Sequence, residues 1–169
     1  LAGPVELEVE KIRSGTLSNP MADKHEKYYA DLAEFSKVVT SYLHMFEKAN
    51  ARVKLYQRML MQITTNIPEA SSSLYELTET MNMLERKVGG SKAKAEVGEK
   101  DFLTISDRLS TARGGWYPNS YGPTQLHMES FDVAKEMFKR IKPEMDAYFE
   151  NVEKTGKILE EAGAPSLLD

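Results

Sequence analysis

The chain has 169 residues, of which 41% are hydrophobic and 28% charged, the composition of one globular domain with a core of its own rather than of a disordered segment. Its 26 acidic against 22 basic side chains give a net charge of −4, which disfavours a nucleic-acid backbone as partner, and no apolar run is long enough for membrane insertion. Cysteine is absent, which excludes a disulfide framework, thiolate metal ligands and a cysteine nucleophile.

The chain opens Leu1-Ala2-Gly3-Pro4, with neither an initiator Met nor a basic start leading into an apolar stretch. The expectation is therefore a piece of a larger protein, with any signal peptide upstream. Val5-Glu6-Leu7-Glu8-Val9-Glu10 alternates apolar and acidic residues, the pattern of a half-buried strand. A single strand needs a neighbour for its unpaired backbone groups, so residues 1–18 are expected to be a remnant strand and linker from a preceding β domain. Residues 19–169 are then the helical domain, with Asn19-Pro20 as a cap and first-turn pair.

From about residue 20 to 66 the apolar positions alternate spacings of four and three: Tyr28, Leu32, Phe35, Val39, Tyr42, Phe46, Ala49, Val53, Tyr56, Leu60 and Ile63. A repeat of about 3.5 residues sustained this long predicts a rod-like helix in coiled-coil packing, roughly 65–70 Å in length. Asn66-Ile67-Pro68 is expected to break it, and Ser71-Ser72-Ser73 to cap a second helix with Leu74, Leu77, Met81, Leu84 and Val88 on one stripe, ended by Gly89-Gly90. Residues 89–124 read as mostly irregular, with a short helix around Ile105, Leu109 and Ala112. A last helix, about 124–162, carries the same stripe from His127 through Phe131, Phe138, Ile141, Met145, Tyr148, Val152 and Leu159. Pro143 is expected to kink this helix without ending it. The result is an all-α fold: an antiparallel up-down-up helical bundle with two long helices, plus the one N-terminal strand.

The residues that bear chemistry fit no catalytic constellation. His25, His44 and His127 lack the spacing of a zinc or di-iron motif, no Gly-x-Ser-x-Gly elbow is present, and the carboxylate pairs fall on faces predicted to be solvated. No metal, no cofactor and no catalytic residue is assigned, and the segment is not expected to be an enzyme. Lys92, Lys94, Lys100, Arg108 and Arg113 are interleaved with Glu96, Glu99, Asp101 and Asp107, a pattern of local pairing. The most unusual stretch is Gly114 to Pro123, which holds the only tryptophan: Trp116, Tyr117 and Tyr121 can anchor a protein partner or stack on a sugar ring.

Val97-Gly98-Glu99-Lys100, Thr104-Ile105, Arg108-Leu109, Tyr121-Gly122-Pro123-Thr124 with His127 and Ser130, Ile141-Lys142-Pro143-Glu144, Leu159-Glu160 and Ala162-Gly163-Ala164-Pro165 together resemble the C-terminal tail of large sortilin-like, BNR-repeat proteins. That family is often catalogued as glycosyl hydrolases. The resemblance implies a signal peptide, a β-propeller portion and a short β domain ahead of this helical tail, hence export to the periplasm, the outer surface or the extracellular space. Where members place Trp after Ala-Gly-Ala-Pro, this chain has Ser166. The family's ligand-binding or hydrolytic region is the propeller, so no catalytic residue carries over. The resulting expectation is a non-catalytic accessory module that packs on the propeller or β domain of the same chain through Trp116, Tyr117, Tyr121 and the Val5, Leu7, Val9 strand. Two rivals stand beside it: a coiled-coil adaptor that recruits another protein or itself through an uncovered face of the first helix, and a carbohydrate-binding aromatic loop.

Overall fold

The computed structural model describes residues 22–62, 67–99, 101–114 and 122–163. The helices are α1 (Ala22–Gln62), α2 (Pro68–Gly89), α3 (Lys92–Glu96), α4 (Ile105–Arg113) and α5 (Gln125–Glu161), and no strand occurs among the described residues. The predicted strand at 5–10 lies outside them.

α1 runs for 41 residues, roughly 60 Å, because no Gly or Pro interrupts residues 21–67. α5 lies parallel to it. The pairs that join the two, Tyr148 with Asn50, Tyr28 with His127, Arg52 with Glu153 and Tyr42 with Asp146, are separated by 98, 99, 101 and 104 residues, an almost constant offset. The middle limb runs the other way: its separations from α1 shrink from 35 at Asn50–Glu85 to 21 at Gln57–Thr78. α2 thus lies against the second half of α1, and α4 against its start, so the bundle is up-down-up with a two-piece middle limb.

The local chemistry explains the boundaries, and in one place corrects the sequence reading. α2 starts at Pro68, not after the serines. Proline at the first helical position has no N–H to leave unpaired and a φ already suited to the helix. Ser71 lies inside the helix, where its hydroxyl donates to the Ile67 carbonyl. Thr104 caps α4 through a reciprocal pair with Asp107, which holds the Asp107 carboxyl below its ordinary range. α5 continues through Pro143, and the Lys139 carbonyl deprived of its donor is on an exposed turn that water can satisfy.

Aromatic rings form a ladder along the α1–α5 seam. Tyr28, Phe131, Phe35, Phe138 and Tyr42 alternate between the two helices with centroids 5.2–5.6 Å apart, mostly edge to face. Lys135 sits 4.5 Å over the Phe131 ring, and Lys142 sits over Tyr42 while bonding Asp146. The stripe on α1 is therefore covered: Leu32, Val39, Phe46, Ala49, Val53 and Tyr56 are buried. Continuous cover comes from α5, whereas the broken middle limb alone would have left the rod open.

Candidate functional site

All six residues expected to dock, Val5, Leu7, Val9, Trp116, Tyr117 and Tyr121, lie outside the described residues. The structure does fix where the chain enters and leaves those segments. α1 begins at Ala22, α4 ends at Arg113 and α5 begins at Gln125, and all three points belong to the same end of the bundle.

That end is fastened by a small set of contacts. The Tyr28 hydroxyl shares its one proton between the Ala112 carbonyl at 3.1 Å and the His127 carbonyl at 3.0 Å, so one side chain of α1 bridges the last turn of α4 and the first turn of α5. Burial, with Tyr29 and Asp132 alongside, pushes the Tyr28 phenol up to about 12. The His25 ring lies against Gly122, where φ is +91° and an added Cβ would come within 3.2 Å of the imidazole. Only glycine fits there without strain. His127 Nδ1 accepts from the Thr124 backbone N–H at 3.1 Å, and Ser130 Oγ donates to the Arg108 carbonyl at 3.0 Å. His25 and His127 thus serve local packing and capping at the bundle end, while His44 is exposed beside Glu47.

The first turn of α5 also turns large apolar side chains to solvent: Leu126 is 62% exposed and Met128 39%. Sequence reasoning singled out neither, because both fall off the four-three stripe and a lone off-stripe apolar residue is ordinary surface. Their position beside the fastened loop flanks makes them informative.

The remaining titratable groups with shifted ionisation act as fasteners. Asp101 accepts from the Ser91 N–H at 2.7 Å and from Lys94, and the Ser91 bond chiefly holds its carboxyl below the ordinary value. The local Lys–Asp pairing read from the sequence is realised in that contact. Asp146 is held down first by Lys142, then by Tyr42. Among the described residues, no three His, Asp or Glu side chains gather as metal ligands would, and no helix is long and apolar enough to cross a membrane.

No family model, curated protein or solved structure matches this chain.

Proposed function

We propose that the chain is a non-catalytic helical accessory module that docks by the α1-start, α5-start end of its bundle, with the propeller and β domain of a sortilin-like exported protein as its partner. The observation that carries this reading is the Tyr28 bridge. It fixes both flanks of the 115–121 segment to the start of α1, next to the exposed Leu126 and Met128. Residues 1–21 join α1 at this same end, so the strand and the aromatic loop expected to dock are tethered to a single face. A rigid helical rod that gathers its tethers and exposed apolar side chains at one tip suits anchoring, and apolar side chains in the middle of such a patch carry most of the affinity. The partner itself comes from the family resemblance.

The test is calorimetric titration of this chain with the purified portion that precedes it in the intact polypeptide. The expected result is saturable binding, weakened about tenfold or more by Trp116→Ala and by Leu126→Asp. No heat of binding at high micromolar concentration would overturn the reading. Capture on a polysaccharide column, lost in Trp116→Ala, would move the aromatic loop to carbohydrate recognition.

A further inference from the structure

The outward face of α2 turns two large side chains to solvent. Tyr75 is 69% exposed and Met83 47%, and they share an arc of about 100° with Glu79, Asn82, Arg86 and the start of the turn at Gly90. Phe102, 47% exposed, lies beside this arc and lines a shallow groove with Met83 and Arg86. It is fixed rather than loose, because the preceding Asp101 is tied to Ser91 and Lys94. Other charged residues of the C-terminal part of α2 are engaged: Lys87 bonds Glu144, and Glu85 accepts from Asn50. Glu79 and Arg86 are exposed and make no ion pair among the described residues.

The arrangement is self-complementary. Glu79 and Arg86 are equidistant from the midpoint between Asn82 and Met83, and Tyr75 and Gly90 are equidistant from the same point. We propose that two copies of this chain associate through this face, their α2 helices crossing antiparallel at Asn82–Met83 with Glu79 of each copy opposite Arg86 of the other. A two-fold axis makes any such contact occur twice. The antiparallel register also places Tyr75 opposite Gly90, whose missing side chain is flanked by Asp101 and Thr104. A parallel register would set Glu79 against Glu79 and Arg86 against Arg86, which like-charge repulsion disfavours. The stripe from Tyr75 to Arg86 is only about 16 Å long. The contact therefore falls at the small end of specific interfaces and predicts a dissociation constant in the micromolar range. It lies on the side of the bundle, away from the proposed docking tip, and does not depend on that reading.

Sedimentation equilibrium of residues 1–169 from ~1 to ~300 µM, a range that brackets a contact of this size, tests the idea. The expected result is a rise from 19.1 kDa toward twice that mass. Glu79→Arg and Arg86→Glu should each weaken association at least about tenfold, the double reversal should restore it, and the two single variants mixed should pair with each other. Met83→Lys provides an independent disruption at the crossing point, and Leu126→Asp should leave the dimer unchanged. Circular dichroism confirms that each variant is folded. A single 19.1 kDa species across the whole range, a dimer indifferent to the single reversals, or a double reversal that fails to recover would each overturn it.

Discussion

Asn50 ties three helices together at one point, and its removal should be felt across the bundle. The Tyr148 hydroxyl, on a side chain only 1% exposed, donates to Asn50 Oδ1 at 2.9 Å, and Asn50 Nδ2 donates to Glu85 Oε1 at 3.1 Å. The relay runs from α5 through α1 to α2. Burial, followed by the nearby Glu85 charge, raises the Tyr148 phenol well above its ordinary value, so it remains a donor. Asn50→Ala strands that hydroxyl at a cost of about 1–3 kcal/mol, and loss of the bond to Glu85 adds ~1 kcal/mol. The sum, about 3 kcal/mol, should lower Tm by roughly 6–12 °C in a domain of this size. Tyr148→Phe alone should cost about 1–2 kcal/mol, and the double variant should be about 1–2 kcal/mol less destabilised than the two singles added together. Urea unfolding followed by circular dichroism at 222 nm measures all four corners of the cycle. Additivity to within ~0.3 kcal/mol would refute the relay, because uncoupled sites are those that add.

Other perturbations test other parts of the packing. A Cβ at Gly156 would collide with the Tyr56 ring, lying 3.1 Å from Cζ, so Gly156→Ala should destabilise by about 1–3 kcal/mol, with partial relief in Tyr56→Phe. Paired chemical denaturation curves will show whether the relief occurs. Tyr28→Phe removes the donor shared by Ala112 and His127 and should cost about 1 kcal/mol, with faster amide exchange confined to the 112–128 end. Because Asp101, Asp107 and Asp146 all have lowered folded-state values, they add stability above their ordinary 3.8, and that stability should be lost as pH falls through their folded values. Tyr28 has the opposite sign: its contribution is complete below its ordinary 10.0 and should fade as pH rises toward about 12, which thermal melts across a pH series will register.

The rods and their direction were legible in the sequence because helical periodicity is a local signal that a few intervening residues cannot erase. Tyr28, Leu32, Phe35 and Val39 announce α1, and Phe131, Phe138 and Met145 announce α5. Less legible was a second flank of α1, spaced by sevens at Tyr29, Ser36, Leu43, Asn50 and Gln57. Of these, Asn50 and Gln57 bond to α2. Apolar patterning passes over it because three of its five members, Ser36, Asn50 and Gln57, are polar, although a helix with neighbours on two sides must bury more than one line of residues. The serines before Leu74 misled for a different reason: Ser71 can bond backward within a helix as readily as it caps one, and Pro68 decides the boundary. Gly156 drew no reading from the sequence, and its bare Cα admits Tyr56. The predicted docking residues belong to segments without a helical period, and what the structure adds is the place where those segments join the bundle.

The near-constant offset of α1 and α5 also sets an order of events during synthesis. α1 has left the ribosome about 100 residues before its parallel neighbour exists, which at 5–20 residues per second is roughly 5–20 s of waiting. Until then only the nearby α2 can shield its second half, through contacts 21–35 residues apart. The start of α1, with Tyr28 and Phe35 still lacking Phe131 of α5, is the part of the nascent chain most exposed to chaperones and to aggregation, and the aromatic ladder closes last.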